Sequence, residues 1–152
     1  MTTATAVRPP IATASGFAVP APVVAVARVL LALMFVLAGF SKFGNLAGTA
    51  GYIASKGLPL PQLVAALTIV VELGGGLALM AGLYTRQAVV ALAAFSLLTA
   101  VVFHNFWAAP QGEQMMQQIN FMKNLAIAGG MLVVAAFGPG RLSLDARRLA
   151  SA

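Results

Sequence analysis

The chain has 152 residues, of which 61% are hydrophobic and only 8% charged, and its mean hydropathy is +0.95. Its length fits one domain. Soluble domains carry roughly 25% charged residues, so a water-covered globule is excluded and lipid is the solvent these side chains suit. The formal net charge of +6 comes from scattered Lys and Arg residues with no run and no interleaved aromatics. That pattern argues against a nucleic-acid partner and for cations flanking membrane spans. Cysteine is absent, which excludes disulfides, thiolate metal sites and dithiol relays.

In chain order, residues 1–22 are rich in Ala, Thr and Pro and read as a mobile tail. The apolar run after it is longer than the core of a signal peptide and carries Arg28 inside. A bilayer core needs about 20 apolar residues in a helix, and four windows provide them: Val23 to Phe43, Gln62 to Leu83, Ala88 to Trp107 and Ile119 to Phe137. The expected fold is therefore an all-α integral membrane protein, a bundle of four transmembrane helices within residues 23–140. Between the first two spans, Gly44 to Leu60 reads as a short interfacial helix ended by Gly57. The turn Tyr84 to Gln87 is tight enough to make the second and third spans antiparallel neighbours. The last loop is Gln-rich, and Gly138-Pro139-Gly140 stops the fourth span. Residues 141–152 read as a short amphipathic tail, with Ser143 as a helix cap before Asp145, Arg147 and Arg148.

Four spans put both termini on one side. That side holds Arg8, Arg86, Arg141, Arg147 and Arg148, so the positive-inside rule predicts cytoplasmic termini and a bacterial inner-membrane location. Ionisable groups inside spans are costly and usually face the bundle interior. In the first span Arg28, Ala32, Phe35, Gly39 and Lys42 share one face. In the second, Thr68, Glu72, Gly75, Leu79 and Gly82 do so; in the fourth, Asn120, Asn124, Ala128 and Met131. Counting helix rise from the span ends puts Arg28 within reach of Glu72, so a buried ion pair between them is expected, either to fix register or to hold a proton-accepting carboxylate.

A second group, Lys42, His104, Asn105, Lys123 and Asn124, falls near the opposite surface beside Trp107. Snorkelling cations and an interfacial indole would explain these residues. So would a pocket, floored by Gly39 and closed by Trp107, whose donors suit the two carbonyls of a quinone. One histidine cannot supply both axial ligands of a haem, and the Cys, His and carboxylate count of a zinc site is missing.

The ordered segments Arg28 through Gly39 to Lys42, Lys56-Gly57 with Pro59, Glu72 to Gly82, His104 to Trp107, Phe121 to Gly130 and Gly138 to Asp145 together resemble the DoxX family of small bacterial membrane proteins. The resemblance implies a four-helix membrane protein. It also implies a link to respiratory or sulfur redox chemistry, since related DoxD-type proteins are subunits of a thiosulfate:quinone oxidoreductase. On that basis a membrane quinone is the candidate cofactor. Besides the lipid bilayer, oxidoreductase subunits and a second copy of the chain are the candidate partners. The rival reading is a non-enzymatic scaffold or assembly protein whose buried charges are structural. A transporter fits less well, because no inverted repeat is visible.

Overall fold

A computed structural model describes residues 19–151 of the chain, so residues 1–18 of the expected tail, Arg8 among them, lie outside the described residues. Ala21 and Pro22, the last residues of the stretch that reads as a tail, open the first helix. Four helices are long and apolar enough to cross a membrane. Helix α1 runs Ala21–Gly44. A single residue, Asn45, links it to α2, Leu46–Ser55, and accepts a hydrogen bond from the Gly48 N–H as a helix cap. Helix α3 spans Pro61–Ala81 and contains one π-helical stretch, Val70–Gly74. Helix α4 is Thr85–Phe103, α5 is Gln114–Phe137 and α6 is Leu144–Ala150.

Polarity is distributed inside out. Phe40, Leu98 and Leu132 on the spans are each more than 60% exposed, whereas Arg28 and Glu72 are 4% and 6% exposed. Side chains that face outward need no desolvation in lipid, and the bundle interior is where charges find partners. The core between the spans is formed by Ala32, Phe35, Leu79, Val89, Leu92, Ala128 and Met131. The expected interior faces of α1 and α5 are thus observed, with Ala32, Phe35 and Gly39 on one and Ala128 and Met131 on the other buried.

The register of α1 against α3 is set by small residues. A Cβ on Gly39 would meet the Leu73 backbone nitrogen at 2.8 Å, and one on Gly76 would meet Val36 and Phe35 at 3.0–3.1 Å. The two helices are therefore antiparallel, with Gly39 level with Leu73 and Phe35 level with Gly76. Such close backbone approach is what drives helix association where lipid tails compete for apolar contact.

At the end of the bundle where α1 begins and α5 stops, the chain turns through Gly138 and Gly140, both at positive φ. It then folds α6 back across the α3–α4 turn. Ser143 caps α6 by accepting from the Ala146 N–H at 3.1 Å, as expected from its sequence position. The α3–α4 turn is Gly82 to Tyr84 and not Tyr84 to Gln87, because Thr85 already belongs to α4. Helix α5 likewise starts at Gln114, a turn before the apolar window, since polar residues can open a helix that has not yet entered lipid.

Candidate functional site

Lys42 and Glu72 form the one ion pair recorded among the described residues, Nζ to Oε2 at 2.7 Å. Glu72 sits in the π-helical stretch of α3. Such insertions are frequent at functional sites because they re-aim a side chain within an otherwise regular helix. The pair faces a cavity of about 250 Å³ lined also by Thr68 of α3, by Thr49, Tyr52 and Ile53 of α2, and by Phe95, Thr99, Phe103 and His104 from α4 and its end.

Helix α2 roofs this space. Its Ala50 and Ile53 pack on Ala65 of α3, with Phe103 against the same cluster, so the expected interfacial helix is fastened to the bundle by a small apolar contact. The Tyr52 ring stacks on Phe103 at a centroid distance of 5.7 Å, and Lys56 Nζ lies 5.6 Å from the same Tyr52 ring. His104 Nδ1 is 2.9 Å from Gln117 Oε1, which ties the cavity wall to the first turn of α5.

The expected Arg28–Glu72 pair does not form. The antiparallel register brings Glu72 level with the Gly39–Lys42 end of α1, and Arg28 lies eleven residues farther along, about 16 Å at the helical rise. Counting depth from apolar windows misjudged how far α3 is shifted along α1. Arg28 instead donates to three carbonyls: Nη1 to Pro139 at 2.7 Å, and Nη2 to Leu142 at 2.9 Å and Met80 at 3.3 Å. It joins the ends of three segments.

Of the five residues grouped near the far surface, the structure brings Lys42 and His104 to one cavity and leaves the others outside it. Lys123 is exposed on the outer face of α5 beside Gln118, Ile119 and Met122. The Asn124 side chain donates back to its own helix, to the Asn120 carbonyl at 2.9 Å. Asn105 is half-buried after the end of α4. Gly39 does not floor the cavity but touches Leu73, and Trp107 packs edge-on with Phe106 and Phe121, away from it.

The residues that sequence reasoning missed carry a periodic signal. Phe95, Thr99 and Phe103 recur every four positions on α4 and so share a face, and they line the cavity together with Thr68 and Glu72, whose common face on α3 was expected. A search for hydroxyl and aromatic residues at helical spacing along the third span would have found them.

At the opposite end, Asp145 caps α4. Its Oδ1 accepts from the Tyr84 N–H at 2.8 Å, while Oδ2 accepts from the Thr85 N–H and hydroxyl at 2.8 and 2.7 Å. Burial works to raise this carboxyl, but the Thr85 N–H and hydroxyl, the Tyr84 N–H and the nearby Arg148 charge outweigh it and hold Asp145 below the ordinary carboxylate value. These contacts also support Tyr84 at a φ of 46°, an uncommon conformation for a non-glycine residue.

Four apolar spans around buried charges define an α-helical multi-pass membrane protein. The DoxX family model matches residues 23–105. The chain is 38% identical over 122 residues to "Inner membrane protein YphA" of Escherichia coli K12, covering 80% of this chain and 87% of that protein. It is 41% identical, again over 122 residues, to "Inner membrane protein YqjF" of the same organism, covering 80% and 88%. No solved structure matches it. The chain belongs to the DoxX family.

Proposed function

We propose that this protein resides in the inner membrane with cytoplasmic termini, and that its Lys42–Glu72 cavity receives the ring of a membrane quinone on behalf of an oxidoreductase system. One observation carries the reading: a donor-bearing cavity lined jointly by the Lys42–Glu72 ion pair, three threonines and a stacked Tyr52–Phe103 pair. Ligand sites combine a mostly apolar wall with a few polar groups that fix orientation. A quinone offers two carbonyl acceptors to Lys42 and the threonine hydroxyls, and a flat face to the aromatic pair. About 250 Å³ suits a ring and not a long tail. A neighbouring apolar groove of about 280 Å³ shares Thr68, Phe95, Thr99 and Phe103 with the cavity and continues along Leu67, Val71, Leu98 and Val102 between α3 and α4. That groove supplies a path for the tail toward lipid. The inner-membrane placement is supported by the descriptions of the two E. coli relatives, and the orientation by the arginines gathered at the terminal end.

Calorimetric titration of quinone analogues with short and long tails into the purified protein tests the reading. Saturable binding that weakens in Lys42→Met and Thr99→Phe, but not in Lys123→Ala, is the expected result. Absence of saturable binding to the unaltered protein would leave the scaffold reading. That second reading draws on a specific observation, namely that the Arg28 Nη atoms and both Asp145 oxygens tie segment ends together.

A further inference from the structure

Among the described residues, the end of the bundle where α1 begins and α5 stops holds Arg28, Arg86, Arg141, Arg147 and Arg148 but one carboxylate, Asp145. Both Asp145 oxygens are already occupied by the first N–H groups of α4 and the Thr85 hydroxyl. The ion pair recorded among the described residues lies at the other end, so among those residues none of these arginines makes a direct ion-pair contact with a carboxylate, although the Arg148 charge lies near Asp145. Arg86, Arg141 and Arg148 line one groove of about 700 Å³ between the start of α4, the Gly138–Gly140 turn and α6. Arg148 is held over the Tyr84 ring, 5.0 Å from its centroid. Beneath the groove, buried Arg28 donates to the Pro139 carbonyl. Leu149 lines the same groove and is 81% exposed, and Leu142, which follows Arg141 in the chain, is 51% exposed.

The geometry points to this groove as a binding site for the phosphate of an anionic phospholipid, with Arg86, Arg141 and Arg148 as its ligands and the exposed leucines against the upper acyl chains. Guanidinium groups recognise phosphate oxygens through paired, charge-assisted hydrogen bonds. Basic pockets at the membrane face of a helical bundle are suited to acidic headgroups. Setting the orientation of the spans requires arginines on one side only; it does not require three of them on one concave surface beside unpaired apolar side chains. The local excess of positive charge beside an exposed leucine favours an anion that the bilayer itself supplies. This site stands independently of the quinone reading, because it lies at the opposite end of the bundle.

The test measures thermal stability of the full chain in neutral detergent as lipids are added. Phosphatidylglycerol or cardiolipin should raise the melting temperature saturably, and phosphatidylcholine of the same tails should not. Arg86→Gln and Arg141→Gln remove exposed side chains that make no recorded hydrogen bond, so both variants should fold. Each should lower the affinity for the anionic lipid about fivefold, while Lys123→Gln at the far end leaves it unchanged. Equal shifts from phosphatidylcholine, or full affinity retained in the double arginine variant, would overturn the assignment. So would an equal shift from inorganic phosphate alone, which would make this a site for soluble anions.

Discussion

Lys42 and Glu72, thirty positions apart in the chain, meet at 2.7 Å because Gly39 seats α1 against the backbone of Leu73. The last turn of one span thus neutralises a carboxylate held well inside another. Glu72 is almost fully buried, whereas the Lys42 side chain is 31% exposed toward the cavity, so the two partners are not equivalent.

Removing the lysine strands a buried carboxylate, whereas removing the carboxylate leaves an ammonium that can turn toward water. Lys42→Met should therefore destabilise more than Glu72→Gln. The cost is on the order of 2 kcal/mol, below the fully buried range because Lys42 is partly solvated. A double-mutant cycle by thermal denaturation in detergent should show coupling between these two and none between Arg28 and Glu72. Coupling to Arg28 would mean that the register described above is wrong.

Arg28 closes the terminal end of the bundle through the carbonyls of Met80, Pro139 and Leu142. Arg28→Met would leave these acceptors unpaired at about 1–3 kcal/mol each if they stay buried. Arg28→Lys should recover only part of the loss, because an ammonium cannot span the three acceptors as the planar fork does. Equal melting temperatures for Arg28→Lys and the unaltered protein would refute the three-way contact.

The Asp145 carboxyl lies below its ordinary value in the folded protein. Its contribution to stability is therefore complete above the ordinary carboxylate value and is lost as pH falls through the lower, folded one. Between about pH 6 and pH 3, the melting temperature of the unaltered protein should fall more steeply than that of Asp145→Ala. At neutral pH the variant should be less stable by about 1–2 kcal/mol for the lost helix cap. Parallel pH profiles for the two proteins would remove Asp145 from this role.

Ser55 and Ser151 are exposed at opposite ends of the bundle, and the sequence contains no cysteine to confuse a label. In intact cells an impermeant thiol reagent should modify Ser55→Cys and spare Ser151→Cys. The reverse pattern would invert the proposed orientation.

Not all glycines are equivalent. An added Cβ at Gly39 would press on main chain that cannot rotate away, whereas at Gly129 it would meet nothing within 4 Å. Gly39→Ala should lower the melting temperature and disturb the Lys42–Glu72 contact. Gly129→Ala should be neutral or stabilising by up to about 1 kcal/mol through helix propensity. Comparable losses at both positions would show that close approach at Gly39 does not set the packing.

Span number, the roofing helix, the Ser143 cap and the buried faces of α1 and α5 were legible because each depends on local periodicity or composition. The partner of Glu72 was not. The windows for the first two spans fall within two residues of the observed helices, but hydropathy does not say how far one helix is shifted along another, and the seat of Gly39 on Leu73 sets that shift. The role of Asp145 was hidden for a different reason. Its contacts at Tyr84 and Thr85 are about sixty residues away, and no local pattern announces them. Lys123 falls on the exposed side of α5, a rotation that depends on how whole helices pack, and Asn124 turns its amide back to the Asn120 carbonyl.

The dependence of α4 on Asp145 imposes an order on biogenesis. The first turn of α4 leaves the ribosome about sixty residues before the carboxylate that caps it, and all four spans are synthesised before that carboxylate exists. The nascent bundle therefore enters the bilayer with Tyr84 and Thr85 lacking their partner and Arg28 lacking two of its three acceptors. Closure of the terminal end can therefore follow only after the fourth span is complete, so a chain that stops at Phe137 would hold all four spans and still lack the contacts that join them at that end.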